Sequence, residues 1–276
     1  MSFNEKLNQI INKTGSLLCV GLDPVLEKIP ERFSKYSEPL YEFCKYIVDE
    51  THDSVCGYKP NSAFFEAYGA DGIAQLKKLM DYIKASYPDL IVILDAKRGD
   101  IESTNHGYLK FAYDYLKADA VTLHPFLGKE AIKLFLDQKE KGCVILCRTS
   151  NNGSFELQNL VVQSDNSQSD NPNLALPLYE YIAKQVAQNW NENNNCMLVV
   201  GATQEYELGK IRKIVGDTPL LVPGIGAQGG DIEKTMKNGL NSQKSGLVIA
   251  ISRGIIYASN PQQEARSYKN KINSFI

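Results

Sequence analysis

Short apolar runs that stop abruptly in a charge, a proline or a glycine recur along the chain. They cover residues 16–24, 55–60, 90–97, 120–125, 142–150, 196–203, 219–226 and 246–254. Their β-branched and leucine-rich character, without strict alternation, predicts strands buried on both faces, as in parallel sheets. Between them lie amphipathic segments at 40–50, 73–86, 104–117, 129–139, 177–189, 205–215 and 231–238, each long enough for a helix. A further helix is predicted over residues 1–13, where Phe3, Leu7, Ile10 and Ile11 share one face.

Eight strands alternating with helices, in about 250 residues, match the count and size of a (β/α)8 barrel. The expectation is therefore an α/β fold, a TIM barrel, with residues 1–276 forming a single domain. An open doubly wound sheet is the alternative, but no Gly-x-Gly-x-x-Gly follows the first strand to suggest dinucleotide binding.

Two polar runs interrupt the pattern. Residues 151–177 follow the fifth strand and contain a stretch, 163–172, too polar to pack a core. This long loop is expected over the catalytic face, either as a lid or as a solvated insertion. The second run, 189–195, precedes the sixth strand on the opposite rim and receives no role.

Composition narrows the picture further. With 276 residues, 43% of them hydrophobic, the chain can bury a large core, and a formal charge of -2 gives no bulk attraction to nucleic acid or an anionic membrane. No apolar run approaches the roughly 20 residues needed to span a bilayer, and the N-terminus lacks the continuous apolar core of a secretory signal. A cytoplasmic protein is expected. Of the six cysteines, Cys19, Cys143, Cys147 and Cys196 lie within strand-like runs and no Cys-x-x-Cys pair occurs, so reduced, buried thiols are expected. Three histidines without metal-ligand spacing give no zinc site.

The candidate chemistry lies where the strands end. The third run ends Asp95-Ala96-Lys97-Arg98-Gly99-Asp100. If the strand persists to Lys97, Asp95 and Lys97 leave the same face. Gly99 then allows a tight turn into a helix beginning near Ile101. Taken singly these charges have ordinary explanations: a surface ion pair for Asp95 and Lys97, and for Asp100 an N-cap accepting from the amide of Glu102 or Ser103. A barrel brings Asp23, Lys59, Asp95, Lys97, Ser150, Gln228 and Arg253 to one mouth, a concentration of polar groups that packing does not require. Residues 223–231, rich in glycine after the seventh strand, and Ser252-Arg253-Gly254 after the eighth occupy the usual phosphate position of such barrels. Arg253 offers a permanently charged, bidentate partner, so a phosphorylated substrate is expected.

Asp95-x-Lys97-x-x-Asp100-Ile101-x-x-Thr104 resembles the signature of the orotidine 5′-phosphate decarboxylases, and residues 223–231 resemble the phosphate-side motif of that family. Gly21-Leu22-Asp23-Pro24, with Lys59-Pro60-Asn61-x-Ala63-Phe64-Phe65-Glu66, is similar to its longer bacterial and parasite branch. The resemblance implies conversion of orotidine 5′-phosphate to uridine 5′-phosphate, the last step of de novo pyrimidine synthesis, without metal or cofactor. It further implies that Lys97 delivers a proton to C6 while Asp95 sits beside the departing carboxylate, and that Lys59 and Asp23 hold ribose hydroxyls. Ser150 would contact the base, and Gln228 and Arg253 the phosphate, with Pro223 and Ser252 completing the nucleotide-binding set. Asp100, Ile101 and Thr104 would cross a homodimer interface into the partner's site. Two positions depart from the family pattern: Asn152 stands where proline is usual, predicting a looser base-contacting loop, and Ser252 where other branches have glycine. A magnesium-dependent sugar-phosphate decarboxylase with the same Asp-x-Lys pair, or a non-catalytic binder of phosphorylated ligands, are the other readings.

Overall fold

The computed structural model describes residues 1–163, 175–226 and 228–276. All eight apolar runs form strands: β1 (Leu18–Leu22), β2 (Gly57–Pro60), β3 (Ile91–Arg98), β4 (Ala120–Leu123), β5 (Gly142–Arg148), β6 (Cys196–Val200), β7 (Leu220–Pro223) and β8 (Leu247–Ile251). They are buried almost throughout because helices cover the outside and side chains fill the inside, which is why they read as continuous apolar runs. Every neighbouring pair is parallel, and the ring closes where β1 meets β8 in the register Leu18↔Ile249. The eight-stranded barrel is the fold expected from the sequence.

The connecting helices are α2 (Pro39–Thr51), α3 (Gly69–Ser86), α4 (Glu102–Leu109), α5 (Gly128–Leu136), α6 (Leu178–Gln185), α7 (Glu205–Val215) and α8 (Ile232–Gly239). Two of them do not run as regular α-helix to the ends their sequences suggest. α4 passes into a π-helical turn at Lys110–Tyr115, and α6 into another at Val186–Trp190. A last helix, α9 (Pro261–Asn273), was not anticipated, although its start carries a recognisable signal: the Asn260 side chain accepts from the Gln263 amide and Pro261 occupies the first turn.

The N-terminal helix α1 (Phe3–Thr14) closes the floor of the barrel, the end opposite the mouth. A capping box between Ser2 and Glu5 starts it, and the Phe3 ring packs over Gly142, where an added Cβ would lie 2.6 Å from the ring. Gly142 is thus needed for the close approach of helix and strand. The polar run at 189–195, given no role above, is part of this floor. Asn195 is fully buried and donates from its amide to the carbonyls of Leu136, Gln138 and Lys141, at 3.1 Å each, while Asn191 Oδ1 accepts from the amides of Asn195 and Cys196. Carbonyls at the strand-entry turns need such donors when water is excluded, so the asparagines are structural.

Beside them lies a buried charge. Asp119 accepts from Lys6 at 2.8 Å, from Lys84, and from the Val92 amide at 2.8 Å. Burial alone would raise its carboxyl, but the Lys84 and Lys6 ammonium groups outweigh that and hold it below the ordinary carboxylate range. A lowered folded-state pKa means that the stabilisation is present at neutral pH and is lost as pH falls through the carboxylate range toward that lowered value. Asp119→Ala, which strands Lys84 in a half-buried site, is expected to cost about 3 kcal/mol near pH 7. Urea unfolding of both proteins between pH 7 and pH 3 checks this: the gap should narrow at the acid end, and a gap independent of pH would contradict it.

The long loop after β5 is more structured at its ends than its composition suggests. Residues Phe155–Gln158 form a helical turn, and Val161–Gln163 pairs antiparallel with Ala175–Pro177. The apolar residues flanking the polar centre supply that pairing. The central stretch of the loop, 164–174, and with it the choice between lid and insertion, lies outside the described residues. All six cysteines are free and buried. No described helix is long and apolar enough to cross a membrane.

Candidate active site

The site grows from the end of β3. Between Leu94, opposite Val121, and Arg98, opposite Leu123, the register with β4 shifts, so Asp95, Ala96 and Lys97 together face Thr122. The strand therefore does not continue regularly through Lys97; it bulges, and Lys97 takes a left-handed φ of 48°. The bulge nevertheless leaves both side chains on the mouth, with Lys97 Nζ 2.6 Å from Asp95 Oδ1. Arg98 turns outward and pairs with Glu66 on the rim. Gly99, at φ 150°, then redirects the chain toward α4.

Asp95 is the hub. Its Oδ2 accepts from Lys59 Nζ at 2.8 Å, and its Oδ1 from Lys97 Nζ and from Thr122 Oγ1 at 3.0 Å. Burial opposes ionisation of this carboxyl, but Lys59 and Lys97 override it and hold it far below the usual carboxylate range. Burial likewise works against the Lys59 ammonium, yet Asp95 and Asp23 keep it charged to well above the ordinary lysine range. Exposure divides the three groups: the side chains of Lys59 and Asp95 are 8% and 11% accessible, that of Lys97 51%. Lys59 and Asp95 form a fixed charge pair, and Lys97 is the member that reaches open space.

That space is a cavity of about 320 Å³, lined by Asp23, Lys59, Asp95, Lys97 and Thr122 from β1 to β4 and by Ser150, Pro223, Gln228, Ser252 and Arg253 from the ends of β5, β7 and β8. Where β1 meets β8, Asp23 Oδ1 and Ser252 Oγ are buried without a hydrogen-bond partner among the described residues. Unpaired buried polar atoms are costly, so both suit a polar ligand. Across the cavity Ser150 Oγ donates to Gln228 Oε1 at 2.6 Å, joining the loops that follow β5 and β7. Arg253 opens a short helical turn after β8 and is exposed at the mouth.

Asp100, Ile101 and Thr104 do not line this cavity. Asp100 is not a helix cap either. Its Oδ1 accepts from the adjacent Ile101 amide at 2.7 Å, and Ile101 occupies the cap position. Buried Asn105 clamps this turn by receiving the Asp100 amide at 3.0 Å and donating to the Asp100 carbonyl. Ile101 is left 61% exposed, an unusual place for an isoleucine.

Asn152 opens a tight turn at Asn152–Ser154, a first-turn position where proline and asparagine both fit. The loop is fastened by other contacts: Arg148 donates to Ser154 Oγ at 2.5 Å and to Gln158 Oε1 at 3.1 Å, and Gln158 Oε1 also accepts from the Thr149 amide. The looseness expected from Asn152 is thus countered by Arg148 and Gln158, which sequence reading did not single out. Thr122 also went unremarked, because a threonine inside a strand carries no signal of its own.

The sequence model described as the orotidine 5′-phosphate decarboxylase / HUMPS family matches residues 16–268. Among relatives, the orotidine 5′-phosphate decarboxylase of Cellvibrio japonicus is 45% identical over 269 residues, 97% of this chain and 94% of the relative. That of Janthinobacterium sp. is 40% identical over the whole of both chains. Of solved structures, OMP decarboxylase from Leishmania donovani superposes with a TM-score of 0.86 at 37% identity, covering 100% of this chain and 99% of the other. A Toxoplasma gondii structure titled a putative orotidine-monophosphate-decarboxylase gives 0.88 at 37% identity, covering 99% and 96%.

Proposed function

Because the chain belongs to the orotidine 5′-phosphate decarboxylase family, we propose that its barrel mouth removes CO2 from orotidine 5′-phosphate to yield uridine 5′-phosphate, with Lys97 as proton donor. The observation that carries this reading is the Lys59–Asp95–Lys97 array, in which two members are fixed and the third, Lys97, faces the cavity.

The reaction breaks the bond between C6 and the carboxylate and leaves the electron pair on C6, where no adjacent carbonyl is arranged as a sink. The Lys97 ammonium supplies a positive field at that carbon and then its proton, and solvent returns a proton to Lys97. Asp95 keeps Lys97 charged and aimed, while its own negative charge faces the departing carboxylate. Lys59 and the unpaired Oδ1 of Asp23 take the ribose hydroxyls. Ser150 approaches the base. Since Gln228 Oε1 is occupied by Ser150, its amide N–H2 is left for a phosphate oxygen, and Arg253 provides the charge. Pro223 and Ser252 line the same nucleotide path.

The fourth charge comes from a second copy. In this proposal Asp100, Ile101 and Thr104 enter the partner's site across a homodimer interface. Support comes from their absence from their own cavity and from the exposure of Ile101. Asp100 then flanks Lys97 opposite Asp95, giving an array that alternates in sign and so keeps each charge ionised. A cytoplasmic location fits a pyrimidine-pathway enzyme.

A magnesium-dependent sugar-phosphate decarboxylase would carry the same Asp-x-Lys pair, so the deciding assay follows loss of pyrimidine absorbance from orotidine 5′-phosphate with and without a chelator. Turnover unaffected by chelation is expected. Turnover abolished by the chelator would favour the magnesium-dependent reading, and tight nucleotide binding without turnover would favour a non-catalytic binder.

A further inference from the structure

The bulge that lifts Lys97 into the cavity has a single support on the neighbouring strand. Where Asp95, Ala96 and Lys97 face Thr122 alone, the strand ladder is broken and two consecutive amides lack a carbonyl partner on β4. Both are received by the Thr122 hydroxyl, Ala96 N at 2.9 Å and Lys97 N at 2.8 Å. The same hydroxyl donates to Asp95 Oδ1, the oxygen that also holds Lys97 Nζ.

A hydroxyl has one hydrogen to give and two lone pairs to accept with, and Thr122 uses all three. Its side chain is buried at the base of the cavity, so the hydroxyl makes these three contacts inside the protein. We infer that Thr122 is a positioning residue for proton delivery: one hydroxyl sets the backbone of Lys97, at its left-handed φ of 48°, and the carboxylate oxygen that receives the Lys97 ammonium. Thr122 borders the cavity, but its hydroxyl is fully engaged by Ala96, Lys97 and Asp95 and keeps no capacity for the nucleotide or the transferred proton. The Lys97 backbone is tied to this hydroxyl directly and its ammonium through Asp95 Oδ1, so the angle at which the ammonium enters the cavity is held from both ends.

Threonine fits this task for a second reason. Its branched Cβ restricts χ1, so the hydroxyl stays aimed at the bulge in the absence of substrate. Valine fills the same volume without the oxygen, serine keeps the oxygen without the branch, and cysteine offers only a weak acceptor in its place.

This inference rests on the reading of Lys97 as proton donor, and the experiment separates the two. Thr122→Val, Thr122→Ser, Thr122→Cys and Lys97→Ala are assayed in the full-length chain with orotidine 5′-phosphate, with kcat and KM resolved and the thermal midpoint recorded. Misplacement of a reacting group by about an ångström lowers turnover by about 100-fold, the expected loss of kcat in Thr122→Val. KM should stay near the parent value, because the phosphate and ribose contacts are untouched. Thr122→Ser should recover most of the lost kcat, whereas Thr122→Cys should resemble valine.

Parent-level kcat in Thr122→Val beside an inactive Lys97→Ala protein overturns the inference and leaves the Lys97 reading intact. A serine variant as slow as valine, or a defect confined to KM, overturns it too. If Thr122→Val fails to fold, the serine–cysteine comparison decides: equal kcat in those two overturns the role of the hydroxyl. Parent-level activity in Lys97→Ala removes the premise, and the inference falls with it.

Discussion

Lys97→Ala is expected to lower kcat by about 10⁴-fold or more, since it removes the proposed proton donor and, with it, the charge proposed to act on the reacting carbon. Nucleotide affinity should change little by comparison. Lys59, Asp23, Gln228 and Arg253 remain, and the Lys97 side chain is the most exposed member of the charged array, with 51% accessibility. Stopped-flow or steady-state absorbance, paired with calorimetric titration of uridine 5′-phosphate, distinguishes loss of chemistry from loss of binding. A protein that turns over at near the parental rate would refute the mechanism.

The same variant tests the second subunit. Asp100→Ala alone should also be poorly active, because the Asp100 carboxylate lies outside its own cavity and is assigned to that of the partner. When the two inactive proteins are mixed under subunit exchange, random pairing makes half the dimers mixed, and one of the two sites in each mixed dimer regains both residues, so about a quarter of the sites should recover. If exchange is demonstrated and no activity returns, Asp100 serves its own barrel.

The second large effect concerns the far end of the substrate. Orotidine without its phosphate is expected to lose about 10⁴-fold or more in kcat/KM, because binding energy gathered away from C6 is what holds the reacting end against Lys97. Arg253 and Gln228 lie across the cavity from the charged array, so their interaction with phosphate can orient the ring without touching the carbon that reacts. Arg253→Ala should therefore damage turnover of the phosphorylated substrate severely and turnover of the truncated nucleoside hardly at all. Equal losses on both substrates would mean that Arg253 supports the fold of the mouth instead of binding phosphate.

Much of this molecule could be read from its sequence, for physical reasons that also explain the gaps. Strands covered on both faces need apolar residues at nearly every position, so β1 to β8 announced themselves. Asp95 and Lys97 stood out because charge is conspicuous at the end of such a run. The bulge between them and β4 did not, since register is a relation between two strands and leaves no mark on either. Thr122 was hidden for the same reason: within β4 it is an ordinary strand residue, and only the misaligned partner gives its hydroxyl three contacts. Asn191 and Asn195 received no role because polarity in sequence does not distinguish side chains that meet water from those that meet orphaned carbonyls. Asn195 meets three such carbonyls. The ends of the long loop were misread in the opposite sense, with a few apolar residues around the polar centre sufficing to pair Val161–Gln163 with Ala175–Pro177.

The floor helix has an implication for how the chain is made. Phe3 packs on Gly142 and bonds to the Lys139 carbonyl, while Asn4 reaches Asn194 and the Cys196 carbonyl. None of these seats exists when α1 leaves the ribosome, and the last of them follows almost two hundred residues later. Helix α1 thus waits for its seats, and its Phe3, Leu7, Ile10 and Ile11 stripe must stay uncovered until residues near Cys196 have been made. Chain closure follows the same order, because β1 cannot pair with β8 until Ile249 has emerged.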